Sequence, residues 1–238
     1  MPTMQIGSIT LQLNRKPIKH LHVSVLPPDG RVRVSAPENM TDTAIRMAVI
    51  SRIPWIKKQQ QSFAAQPRQS QREMISGESH YLWGQRYRLL LTEQAGHHQV
   101  QLQGNSKLEL VVRPGTSQDN KARLLDGFYR DELKQRASDL LAYWQVEIGV
   151  EAAAWQVRKM KTKWGSCNPK TGRILLNLEL VKKPPECLEF IVVHELVHLL
   201  ERHHNERFRQ YMDRYLPDWP ERRALLNSGP LIYDQWTY

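Results

Sequence analysis

Between residues 6 and 36 apolar side chains alternate with polar ones: Ile9, Leu11, Leu13, then Leu21, Val23, Val25, then Val32, Val34, Ala36. A period of two puts one side of each run into a core, so the pattern predicts three half-buried strands. Pro27-Pro28-Asp29-Gly30 joins the last two as a hairpin. At Thr41 the period changes. Ile45, Ala48 and Val49 follow a capping residue at helical spacing, and Pro54 ends this helix or kinks it into a second segment holding Trp55 and Ile56. Residues 64–72, rich in Gln, Ser and Arg around Pro67, read as a linker.

A second set of alternating runs covers 81–83, 87–91, 100–102 and 108–112, with turns at Gly84 and Gly104-Asn105. Pro114-Gly115 closes it. The two sets are loosely alike, with no fixed repeat. From 117 to 146 Leu124, Phe128, Leu133, Ala137, Leu140, Leu141 and Trp144 mark one long amphipathic helix. The last third predicts a strand over 157–164, a turn at Asn168-Pro169-Lys170-Thr171-Gly172 and a returning strand over 174–180. Pro184-Pro185 then breaks the chain before helices over 186–201, 205–215 and 220–226. The expected class is α+β: a mostly antiparallel β region over residues 1–115, a long connecting helix, and a helical core with a short β-hairpin over 116–238.

Composition narrows the setting. With 40% hydrophobic and 24% charged residues in 238, the chain can fold around a packed core. No apolar run approaches the ~20 residues that span a bilayer, and the N-terminus lacks the apolar core of a signal peptide, so neither membrane insertion nor secretion is expected. Two cysteines, Cys167 and Cys187, exclude a disulfide scaffold and a four-cysteine zinc site, and fit a reducing cytoplasm. The net charge of +10 favours polyanions, and weak nucleic-acid binding, steeply salt-dependent and without sequence preference, is expected from it. Arg158, Lys159, Lys161 and Lys163 would put three lysines on one face of a strand; a solvated face is the first reading and a phosphate-binding stripe the second. His97 and His98 read as loop surface.

The chemistry is concentrated at His194-Glu195-Leu196-Val197-His198. Four residues apart on a helix, His194 and His198 share a face and can share one cation, while Glu195 beside them can reach a water as general base. With 9 His and 15 Glu in the chain, chance gives only about 0.02 such matches. A catalytic zinc takes three protein ligands and leaves a fourth position open. His204 is the preferred third ligand, at the ten-residue spacing from His194 of the extended zinc-peptidase pattern; His203 and then Glu206 are the alternatives. An unbroken helix would carry His204 off the ligand face, so the chain must bend after Glu201, which stands where the pattern has glycine.

Trp164-Gly165-Ser166-Cys167, Gly172, Leu176-Asn177, the His194–His198 motif, His204 and Phe208 occur in an order that resembles the YgjP-like metallopeptidase family, related to the SprT and Spartan proteases. Ala36-Pro37, Trp55-Ile56, Gly84 and Tyr87 extend the likeness over most of the chain. The resemblance implies a zincin-like peptidase core over 116–238, one zinc per chain on His194, His198 and His204, Glu195 as catalytic base, and protein or peptide substrates. Beside it, the strand over 172–180 offers an edge on which an extended peptide could add main-chain hydrogen bonds. Trp164 and Cys167 read first as core side chains, with Gly165 permitting a tight backbone path. Arg207 and Tyr211 are candidates for stabilising an oxyanion. The rival functions are a non-catalytic zinc-stabilised binding module and a DNA-associated protease acting on DNA-bound proteins.

Overall fold

The N-terminal alternation resolves into one four-stranded sheet: β1 (Thr3–Ile6), β2 (Ile9–Lys16), β3 (His22–Leu26) and β4 (Arg31–Pro37). The computed structural model describes residues 3–26, 30–65, 73–160 and 163–228. β3 and β4 pair antiparallel, as a hairpin requires, although its turn at Pro27-Pro28-Asp29 lies outside the described residues. β1, too short to show a period of its own, pairs antiparallel with β2 across Gly7. The sheet order is β1-β2-β4-β3, so a parallel pair, β2 with β4, lies at its centre. Leu11, Leu13, Val32, Val34 and Ala36 pack in one apolar cluster with Ile45 and Val49 of α1 (Asp42–Ile50) and Ile56 of α2 (Ile53–Ala65). The Thr41 side chain caps α1 by accepting from the Ala44 N–H at 3.3 Å. Residues 66–72 of the expected linker lie outside the described residues.

The contacts divide the chain into two compact units, the first within Met1–Gln69 and the second within Ser70–Gly229. The second unit repeats the first sheet's topology: β5 (Ser79–Leu82), β6 (Gln85–Glu93), β7 (Gln99–Gln103) and β8 (Lys107–Val112) run in the order β5-β6-β8-β7 around a parallel β6–β8 pair. Two strand sets alike in sequence are thus alike in path. The second set shares its unit with α3 (Gln118–Ile148) and all that follows it to residue 228.

α3 starts at a Ser117 cap and stops at Gly149, whose φ of 74° a residue with Cβ adopts only under strain. Its buried stripe is Leu125, Tyr129, Leu133, Ala137, Leu141, Trp144 and Ile148. Leu125 and Tyr129 take the deep positions expected of Leu124 and Phe128, because the spacing of four back from Leu133 and Ala137 falls on them. A third sheet has the order β10-β11-β9, built from β9 (Ala154–Arg158), β10 (Gly165–Asn168) and β11 (Arg173–Asn177).

Two expected strand bounds are corrected here. β9 ends at Arg158 and does not reach 164, and β11 ends at Asn177, where Leu178–Lys182 coils into a 3₁₀ turn. One side chain accounts for both. The buried Asn177 amide accepts from the Met160 and Glu179 N–H groups at 3.2 Å each, and donates to the Met160 and Lys163 carbonyls at 3.1 and 2.8 Å. These bonds offer the backbone partners outside the ladder. α4 (Pro185–Val197), α5 (Glu206–Tyr215) and α6 (Trp219–Asn227) complete the α+β fold. No helix among the described residues is long and apolar enough to cross a membrane.

Candidate metal centre

α4 is apolar nearly all round, and such a helix belongs inside a core. Every residue from Phe190 to Val197 is buried, which carries His194 and Glu195 inward at 3% and 1% exposure. α4 ends at Val197, earlier than the expected 201, and His198 sits at its C-terminus with αR dihedrals. The bend that returns His204 therefore begins inside the motif. The Glu201 carboxylate accepts from the His203 N–H at 3.1 Å, and Asn205 caps α5 by accepting from Phe208 N–H at 3.0 Å. Glu201 does not adopt a positive φ, so this turn has no need of the glycine found there in the extended pattern.

The outcome is that His194, His198 and His204 each aim a ring nitrogen at a common point, all within 4.8 Å of one another. His194 Nε2 and His204 Nε2 are 3.1 Å apart. Two nitrogens bound at about 2.0–2.1 Å to one tetrahedral ion stand roughly 3.3–3.4 Å apart, so the pair already has ligand spacing. His198 Nδ1 lies 3.1 Å from the Glu201 carbonyl, to which it donates, leaving Nε2 for a metal. Burial lowers the pKa of all three rings; for His194 the positive charges of His198 and His204 add to it. Neutral imidazoles, the ligating form, are thereby favoured. Phe208 packs against all three rings, centroid to centroid 5.0, 4.8 and 4.8 Å, and fixes their mutual orientation.

Glu195 has a different environment. Burial pushes its pKa up to about 8, against the opposing charge of Lys163, and its Oε2 accepts no hydrogen bond from a described residue. A buried carboxylate oxygen without a partner is costly unless something not made of protein completes it. Against it lies Gly165, where a Cβ would stand 2.8 Å from Glu195 Cγ and 2.9 Å from Cδ. The tight backbone path read from the sequence is thus room for this carboxyl. Three neutral imidazoles beside an uncompensated carboxylate fit a hydrolytic zinc ion, and the donor set suits zinc well.

The site opens into a cleft of about 580 Å³ walled by β10 and by the turn after α4. β11, expected as the substrate edge, is paired on both sides; the edge strand lining the cleft is β10, through Gly165, Ser166, Cys167 and Asn168. Trp164 is buried, as expected, with Lys183 over its ring at 5.7 Å. Cys167 is not core: it is half-buried in the cleft, its thiol pushed up to about 12 by burial and then by the Glu195 charge. Lys170 and Arg202 also line the cleft, and only their adjacency to the turn and to the histidine run marks them in the sequence. Neither Arg207 nor Tyr211 lines it; they bond each other, Arg207 Nη2 to Tyr211 Oη at 3.2 Å. His203 and Glu206 are exposed and outside the imidazole cluster, as are His97 and His98. Lys159 pairs with Asp126 at 2.9 Å beyond the end of β9, and Lys161 lies outside the described residues.

Asn177 ties the Met160 and Lys163 carbonyls to the end of β11 and so sets where Gly165 meets Glu195. Asn177→Ala is expected to lose about 2–4 kcal/mol, since buried and partly buried backbone groups are left unpaired at up to about 1–3 kcal/mol each, with relief by water where they are exposed. Denaturant unfolding of the metal-loaded variant measures it. A loss below 0.5 kcal/mol, roughly that of an ordinary surface change, would remove Asn177 from this role.

Comparison with known proteins adds three findings. Residues 19–229 match the model of the family described as YgjP-like, metallopeptidase domain. Among solved structures, the metallopeptidase zymogen abylysin of Pyrococcus abyssi is 22% identical, covering 37% of this chain and 89% of that one, with a TM-score of 0.35. The corresponding zymogen jannalysin of Methanocaldococcus jannaschii is 23% identical over 37% of this chain and 90% of that one, with a TM-score of 0.34. No curated protein matches the chain significantly.

Proposed function

The chain belongs to the YgjP-like metallopeptidase family, and on that premise we propose that it hydrolyses peptide bonds with zinc held by His194, His198 and His204 and with Glu195 as general base. The observation that carries the proposal is the convergence of three imidazole nitrogens beside a buried carboxylate oxygen that no described residue satisfies, at the base of an open cleft. When bound, zinc supplies Lewis acidity that polarises a carbonyl and acidifies water. Glu195 takes the proton of that water and passes it to the departing amine. β10, the outer strand of its sheet among the described residues, is where an extended substrate adds its main chain as a further strand. A purely structural zinc site closes on four protein ligands, and the unsatisfied Glu195 oxygen argues against that rival.

The third ligand provides the test. Purified protein is expected to carry one zinc per chain, and His204→Ala to lose it together with hydrolysis of an unfolded protein substrate. His203→Ala, whose side chain points elsewhere, is expected to retain both. Elemental analysis and proteolysis assays of the two variants, in parallel, decide it. Zinc retained in His204→Ala and lost in His203→Ala would transfer the ligand role to His203, and full zinc in His194→Ala would end the proposal.

A further inference from the structure

The cleft is more one-sided in charge than the chain. Over the whole sequence lysines and arginines number 34 against 24 acids. Lining the cleft are Lys163, Lys170 and Arg202, and the only acid among the described residues there is Glu195, which is buried at its base. None of the three cations makes an ion pair with a described residue, whereas Lys121, Lys159 and Lys182 elsewhere in the same unit do. All three are exposed. Their placement follows the strand that walls the cleft. Lys163 lies two residues before β10 and Lys170 two residues after it, in the turn to β11, while Arg202 reaches in from the turn after α4. The charge of Lys163 acts on both Glu195 and His198, so this end of the strand lies nearest the reacting centre.

From this arrangement we infer that the cleft selects polypeptide segments bearing acidic side chains along the stretch that lies against β10. The inference rests on the peptidase reading and names its substrate class. A segment lying along the four residues of β10 spans about 10–13 Å and meets a lysine toward each end. A peptide suits the site better than a nucleic-acid strand: among the described residues none that lines the cleft is a Phe, Tyr or Trp, and single strands are held by stacking their bases on such rings.

The test uses zinc-loaded full-length protein and short fluorogenic peptides, identical except that the residues flanking the central bond are Asp, Gln or Lys. Hydrolysis is compared through kcat/KM, and affinity through fluorescence anisotropy on Glu195→Gln protein. Two or three exposed pairs make the Asp peptide about 10-fold better than the Gln peptide, and the Lys peptide worse than both. The margin shrinks in molar salt, where the Debye length falls to about 3 Å. Lys170→Glu combined with Arg202→Glu is expected to reverse the order, in binding as in hydrolysis. Equal use of the three peptides, a preference for the Lys peptide, or displacement of the Asp peptide by single-stranded DNA at lower concentration would overturn the inference. Binding that prefers the Asp peptide while no peptide is cut would uphold the inference and refute the peptidase reading. The order among peptides on the unaltered protein, with its salt dependence, decides the matter even if the double variant fails to fold.

Discussion

Glu195→Gln is expected to reduce hydrolysis of an unfolded protein substrate by ~10²–10⁴-fold, the range of a lost general base, while the protein keeps its fold and one zinc per chain. Glutamine has the shape of glutamate and cannot take a proton from water. Its uncharged head also suits the site: burial already favours the neutral carboxyl, with a pKa of about 8, so the substitution removes a charge that the fold does not stabilise. In the metal-loaded protein the neighbouring cation favours the ionised form that a base must have. The three imidazoles are untouched by the change, and His198 keeps its bond to the Glu201 carbonyl. Elemental analysis beside a rate measurement separates the two roles. Zinc lost from Glu195→Gln as fully as from His204→Ala would make Glu195 a ligand. An unchanged rate would mean that it is not the base.

Gly165→Ala is expected to cost ~10²-fold or more in kcat, through a residue that carries no functional group. Its backbone lies outside the left-handed region, so alanine meets no conformational penalty there. The difficulty is the added methyl, which would stand 2.8 and 2.9 Å from Glu195 Cγ and Cδ, well inside van der Waals contact. Either the carboxyl rotates away from the open side of the imidazole cluster or β10 moves outward, and both misplace the base relative to the substrate edge. Overpacking of this kind costs about 1–3 kcal/mol of stability, which thermal unfolding reads separately. Zinc content should hold, because the atoms nearest the new methyl all belong to Glu195 and not to a ligand. A variant with normal kcat would show that the Glu195 position tolerates displacement, and one that loses zinc would show that β10 supports the ligands as well.

Sequence reading reached some of this and missed the rest for identifiable reasons. Alternation at Ile9, Leu11, Leu13 and at Val32, Val34, Ala36 reports one-sided burial, and burial is what the structure shows. It carries nothing about strand order, so the parallel β2–β4 and β6–β8 pairs were not legible. Grouping by pattern put the second strand set with the first, whereas contacts put it with α3 and α4. The spacing of His194, Glu195 and His198 fixes a helix face, hence the geometry of two imidazoles; the spacing to His204 fixes only that a turn must exist. That turn depends on the Glu201 carbonyl and carboxylate, which the extended pattern, with glycine at this position, does not encode. Asn177 was invisible for a similar reason. Three of its four hydrogen bonds go to residues 14 to 17 positions upstream and the fourth to Glu179, two positions on, and no hydrophobic period encodes them.

The return of His204 to His194 across ten residues has a bearing on folding as well as on chemistry. A metal bridging the end of α4 to the segment before α5 closes a short ring in the chain, as a covalent cross-link would, and closure of a small loop is paid in entropy that the empty chain must find elsewhere. Within the chain itself that ring is held by contacts that include the edge-on packing of Phe208 on His204, the Asn205 cap and the Glu201 bonds. Binding at this point therefore withdraws from the native ensemble those local openings in which the start of α5 frays, since a ligand that prefers the closed form stabilises it by mass action. The helix that carries Phe208 is in this sense annealed by the same ion that its ring helps to seat.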